Sequence, residues 1–100
     1  GFAVTTGIKN TLLGGLAGDS LTEGDNNVVM GYLALSSETL GDRNVAIGHG
    51  SLSQMTAAST TDTYNTAVGY LAGTAITTGT NNRLSSFNKS NCRWSKCCSW

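Results

Sequence analysis

The residues able to do chemistry are few, and their spacing limits what they can do. His49 is the single histidine, and the carboxylates Asp19, Glu23, Asp25, Glu38, Asp42 and Asp62 are scattered singly. Three cysteines, Cys92, Cys97 and Cys98, crowd the last nine residues. Acid–base or nucleophilic catalysis needs a base held against an acid or a nucleophile, and no such partner stands in pattern around His49. A Cys-x4-Cys-Cys run lacks the Cys-x2-Cys pairs and histidine partners of a zinc site. Gly14-Gly15-Leu16-Ala17-Gly18-Asp19 lacks the Lys-Ser/Thr ending of a phosphate loop. Its Gly and Asp spacing does not fit a calcium-binding nonapeptide repeat either. A glycosidase would need a carboxylate pair facing one cleft, yet Glu23 and Glu38 fall in different columns of the repeat described below. Thr77-Thr78-Gly79-Thr80 raises an ice-binding face, but its counterparts Thr22-Glu23 and Thr39-Leu40 interrupt it. The expectation is a non-catalytic chain with no metal or cofactor.

What must position these residues is a repeat. Four segments align on Asn–x–x–apolar–Gly, beginning at Asn10, Asn27, Asn44 and Asn65 and ending at Gly14, Gly31, Gly48 and Gly69. The asparagines are spaced by 17, 17 and 21 residues, and Asn82 follows 17 later. The period is therefore 17, with four extra residues inside 53–64. A small residue (Ala17, Ala34, Ser51, Ala72) stands three positions past each core glycine. A second glycine column holds Gly24, Gly41 and Gly79, with Gly7 in a truncated preceding coil. Residues 3–10 match 75–82 at a displacement of 72, a longer period equal to three plain coils and the looped one. Self-similarity at such a period marks a stacked-repeat architecture.

Composition agrees. Charged residues are 12 % of the chain, about half the usual share, and Gly, Thr, Ser and Asn replace them. Gly and Thr are poor in helix interiors. Zero net charge and no basic stripe argue against nucleic-acid binding, and no apolar run is long enough for a membrane-spanning helix. The chain opens on Gly1-Phe2-Ala3-Val4 without an initiator Met, so it reads as the interior of a longer array.

Seventeen residues suffice for one turn of an all-β parallel solenoid or β-roll. The first strand is expected at the Asn–x–x–apolar–Gly segment, such as 65–70, and a second at Ala75–Thr78. The two glycine columns mark the corners, where positive φ or close backbone approach excludes a Cβ. Asparagines in register suggest a side-chain amide ladder. The implied interior is thin, which predicts lateral association through the aliphatic column. Tyr32, His49 and Tyr70 share one column with Gly15, and this tolerance points to an exposed face, either a ladder that contacts a receptor or glycan or simply exposed aromatics filling a wide solenoid face.

Asn44-Val45-Ala46-Ile47-Gly48 and Asn65-Thr66-Ala67-Val68-Gly69-Tyr70 resemble the head repeats of trimeric autotransporter (YadA-like) adhesins. They are still more similar to the Asn-Thr-Ala-x-Gly-Tyr arrays of phage and bacterial tail-fibre proteins. Leu13–Asp19 and Ala34–Ser37 are similar to arrays in virion structural proteins of marine viruses. The resemblance covers residues 3–82 and implies a homotrimeric parallel β-roll in a virion or at a cell surface. Its role would be a rigid spacer, or a surface that meets a host receptor or glycan. The adhesin repeats are commonly nearer 14 residues, so coil shape and trimer packing are expected to differ. A bacterial adhesin head is the alternative within this class.

The array is expected to occupy residues 1–82, because Arg83-Leu84-Ser85-Ser86 replaces the apolar–Gly pair. Residues 83–100 carry both tryptophans, all three cysteines and four of the six basic residues (Arg83, Lys89, Arg93, Lys96). Cys and Trp codons read one base later give Ala- and Gly-type codons. The tail therefore reads as the product of a reading-frame shift, with a genuine disordered tail as the alternative.

Overall fold

The structure, a computed structural model, describes residues 1–85; the tail expected to be non-native, and its cysteines, lie outside the described residues from 86 onward. The strands are β1 (Thr11–Leu13), β2 (Val28–Met30), β3 (Gly41–Asp42), β4 (Val45–Ile47), β5 (Thr61–Asp62), β6 (Thr66–Val68) and β7 (Arg83–Ser85). β1, β2, β4, β6 and β7 form one parallel sheet in that order, and β3 pairs with β5. Each partner lies one repeat away: Thr11 faces Val28, Val28 faces Val45, Val45 faces Thr66, and Thr66 faces Arg83. The chain is an all-β parallel solenoid of about four turns. β7 lies just past the array boundary drawn at Asn82, so the ladder runs on through Ser85.

The second strand is not where the sequence places it. Residues 75–78 are turn and bend, and the second side of the coil pairs only at β3 and β5. The backbone chemistry there explains this. The N–H groups of Thr5, Thr6 and Gly7 all donate to the Thr22 carbonyl, and those of Thr22, Glu23 and Gly24 all donate to the Thr39 carbonyl, at 3.0–3.3 Å. Three successive donors converging on one oxygen make a nest, whereas a strand alternates its donors and acceptors.

The corners are built from left-handed residues. Every positive φ among the described residues falls in one of four columns. One is the core glycine (Gly14, Gly31, Gly48, Gly69), at φ 121–127°. The others are the residue before the asparagine (Lys9, Asn26, Arg43, Tyr64, Asn81), then Leu16, Leu33, Gly50, Leu71, and finally Gly18, Leu35, Leu52, Gly73. A left-handed leucine costs about 1–2 kcal/mol. It persists because its N–H still reaches the neighbouring coil: Leu71 donates to His49 O at 2.8 Å and Leu35 to Ser51 O at 2.8 Å. The second glycine column has a different reason. A Cβ on Gly24 would stand 2.4 Å from the Gly41 carbonyl oxygen, so space, not φ, selects glycine there.

Inside the coil, Val29, Ala46 and Ala67 from the strands meet Ala17, Ala34, Ser51 and Ala72 from the corner, all buried. Volume is balanced between strand and corner, within a level or with the adjoining one. Where the strand carries Leu12 the corner carries Gly18, and a Cβ there would come within 2.9 Å of that leucine. Where the strand carries Val29 or Ala46, the corner supplies Leu35 or Leu52. Gly73 is hemmed in by Leu52 at 2.8 Å and Leu84 at 3.1 Å.

The expected asparagine ladder is present and continuous. Asn27 donates its backbone N–H and its side-chain amide to Asn10 Oδ1 at 2.9 and 3.1 Å. Asn44 repeats both bonds to Asn27 at 2.9 and 3.1 Å, and Asn82 repeats them to Asn65 at 3.0 and 3.0 Å. The amide nitrogens of Asn10, Asn27 and Asn65 also cross the coil to the carbonyls of Gly24, Gly41 and Gly79. The looped coil adapts this pattern. Pairing of Gly41 with Thr61 puts three of its four extra residues before Thr61, and the fourth is Thr63, one ahead of the left-handed Tyr64. The Thr63 hydroxyl donates to Asn44 Oδ1 at 2.7 Å, beside the Asn65 N–H at 3.1 Å. Among the described residues no buried side-chain nitrogen or oxygen lacks a partner.

Two substitutions test this account by urea denaturation. Asn44→Ala strands the buried Asn65 N–H and should cost about 2–4 kcal/mol. Gly48 has φ 121°, and a Cβ would fall 2.4 Å from Gly69 O. Gly48→Ala should therefore cost at least about 2 kcal/mol. Gly15→Ala, whose Cβ meets only the Tyr32 ring at 3.4 Å, should change stability by less than about 0.5 kcal/mol.

Candidate interaction surface

The outer side of the coil carries the exposed side chains. On each three-residue strand the middle side chain turns inward, so its neighbours face out. Leu13, Met30, Ile47 and Val68 consequently form an aliphatic column up the outer face. Leu13 is 60 % and Val68 45 % exposed, and Met30 and Ile47 are half-buried. The column ends at Ser85 in β7.

Directly past the core glycines runs the column of Gly15, Tyr32, His49 and Tyr70. The parallel register stacks its rings. The Tyr32 and His49 centroids are 5.4 Å apart and those of His49 and Tyr70 are 5.3 Å apart, with interplanar angles of 38° and 28°. These distances are close to the spacing of adjacent strands, so the ladder itself sets the aromatic pitch. Tyr32 is 50 % and Tyr70 64 % exposed, and His49 is exposed. His49 lies between the two tyrosine rings, so the strip presents aromatic rings repeated at coil spacing.

The opposite margin of the same face is polar. Arg43 pairs with Asp62, its guanidinium lies 5.8 Å from the Tyr64 ring centroid, and the Tyr64 hydroxyl donates to Asp62 Oδ2 at 3.1 Å. The hydrogen bond that Arg43 donates to Asp62, and the charge of that carboxylate, raise the Arg43 pKa above its ordinary value. Beyond Tyr64 an open cleft of about 290 Å³ is lined by Tyr64, Asn81 and Arg83. Neither Arg43 nor Tyr64 stands out in the sequence as a contact residue. Their common signal is position, since both occupy the left-handed column just before the asparagine.

Several carboxylates are taken up by the framework. Asp25 Oδ1 accepts the Ile8 N–H and Asp42 Oδ1 the Asp25 N–H, both at 2.7 Å. Glu38 is fully buried. Among the described residues no three His, Cys, Asp or Glu gather where a metal ion could be held. The structural positions read from the sequence (Asn10, Asn27, Asn44, Asn65, and the glycines at 14, 24, 31, 41, 48, 69 and 79) belong to the ladder and corners, apart from the aromatic strip. Comparison of the chain with family models, with curated proteins and with solved structures returns no match.

Proposed function

We propose that this chain is a non-catalytic segment of a viral tail fibre or virion shaft. It builds length by repetition and presents the Tyr32–His49–Tyr70 strip to a host-surface receptor or glycan. The observation that carries this reading is that one backbone ladder both generates the rod and sets the spacing of its exposed aromatics. Repetition along an axis yields a stiff spacer, because each coil touches only its neighbours. Aromatic residues concentrate in recognition surfaces because they combine large contact area with few rotors. Exposed aromatic rings at a fixed pitch suit a partner that repeats along an extended chain, as in a polysaccharide or a receptor strand. The resemblance of Asn65–Tyr70 to tail-fibre arrays favours the same reading, with a virion or a cell surface as the proposed location.

The second part of the proposal is a homotrimer associated through the aliphatic column. Leu13, Met30, Ile47 and Val68 make a contiguous apolar stripe along the rod, the kind of surface that marks an association site. Identical chains can cover it symmetrically.

Two measurements test these statements. Tyr70→Ala and Tyr32→Ala should each weaken binding to host cells or a host glycan array at least about tenfold while the far-ultraviolet circular dichroism stays unchanged. Full binding by the double variant would refute the strip as a contact surface. In sedimentation equilibrium the protein should weigh three chains, and Ile47→Asp should give a folded monomer. A wild-type monomer throughout the micromolar range would contradict the trimer.

A further inference from the structure

Glu38 is a fully buried acid in a column that otherwise reads Leu21, Met55 and Ile76, all apolar and buried. Its carboxylate accepts four backbone N–H groups. Oε1 takes those of Thr39, Leu40 and Gly41 at 2.9, 3.0 and 2.9 Å, and the Ala57 N–H reaches both oxygens at 3.1 Å. The first three donors are one repeat on from Thr22-Glu23-Gly24, whose N–H groups converge on the Thr39 carbonyl, and two on from Thr5-Thr6-Gly7, which converge on Thr22. One repeat further, the acceptor would be the carbonyl of Thr56, where the inserted loop begins. The carboxylate oxygen occupies that role instead. Glycine follows the same substitution: a Cβ on Gly7 or Gly24 would strike a carbonyl oxygen of the next coil at 2.6 or 2.4 Å, whereas one on Gly41 would strike Glu38 Oε2 at 2.8 Å.

We propose that Glu38 and the inserted loop are one coupled device that fixes which coil stacks on which. Near-identical coils present the same ladder to any neighbour, so the backbone alone does not distinguish a slip by one repeat. A buried polar group can specify register where apolar packing is indifferent. A plain coil set above Glu38 would bring a carbonyl to the three N–H groups that the carboxylate already fills, placing two acceptors against each other. A looped coil set above an apolar residue at that position would leave the three N–H groups unpaired in the interior. Only Glu38 beneath the loop satisfies both. This concerns folding register and holds whatever the rod contacts.

The test is a double-mutant cycle in the full chain. Glu38→Leu is combined with a shortened loop, made by removing residues 58–60 together with Thr61→Gly to restore the second glycine column. Each change alone should lower the folding equilibrium constant by about a hundredfold or more, and the combination should return to within about tenfold of wild type. The Thr39, Leu40 and Gly41 amides should be protected from hydrogen exchange in the wild type and in the combination, and exposed in Glu38→Leu. Should either single variant fail to fold, a folded combination carries the proposal and an unfolded one overturns it. Equal cost of Glu38→Leu in both backgrounds, or unchanged protection of the three amides, would show Glu38 to be a local cap with no bearing on register.

Discussion

Asn10, Asn27 and Asn65 each make three kinds of bond at once, and the coil's shape follows from them. In each, Oδ1 accepts the backbone N–H and the side-chain amide of the asparagine one coil away, and Nδ2 crosses the interior to a glycine carbonyl. The first two bonds lock the rise between coils, and the third ties the two sides of a coil together. Because the group is buried, a missing partner would cost about 1–3 kcal/mol. The asparagine therefore fixes where the chain must turn and how far away the second side must lie. The small inward residues, the left-handed corners and the glycine columns are consequences of that fixed width.

This constraint explains a core that would otherwise look too poor. The interior is narrow: three levels take a large side chain from the strand or the corner, and at Ala67 and Gly73 the leucines of the adjoining coils, Leu52 and Leu84, fill the space. Leu12 stands over Gly18, while Ala46 gives way to Leu52. Left-handed leucines are tolerated because their backbone N–H groups remain in the intercoil ladder, so local strain is offset by bonds that a relaxed residue would lose. The same fixed rise sets the pitch of Tyr32, His49 and Tyr70. The exposed aromatic rings on the outside are thus spaced by hydrogen bonding on the inside.

Much of this is legible in the residues, and the parts that are not share a cause. The 17-residue period, the parallel solenoid, the amide ladder and the first glycine corner follow from column identity, because each column has one chemical requirement. The second strand expected at Ala75–Thr78 does not form. Thr and Ile suit a pleated backbone by propensity, but in the aligned coils three N–H groups converge on one carbonyl, that of Thr22 or Thr39, a geometry that propensity does not encode. The left-handed column of Lys9, Asn26, Arg43, Tyr64 and Asn81 is invisible because its residue types have nothing in common; what they share is the place before the asparagine. Glu38 looks like one more turn acid until its column is written out and its neighbours prove apolar. That contrast, one coil below an insertion, was the available signal. The exposed position of Tyr32, His49 and Tyr70 could be read from mixed occupancy, whereas their stacking needed the register.

Hydrogen-bond scalar couplings measured by nuclear magnetic resonance test the ladder most directly. Magnetisation should pass from the backbone amide nitrogen of each asparagine to the side-chain carbonyl carbon of the one before it. The account predicts correlations from Asn27 to Asn10, Asn44 to Asn27, Asn65 to Asn44 and Asn82 to Asn65. Their absence in a folded sample, or correlations that join other asparagines, would contradict the stacked coil on which everything else here is built.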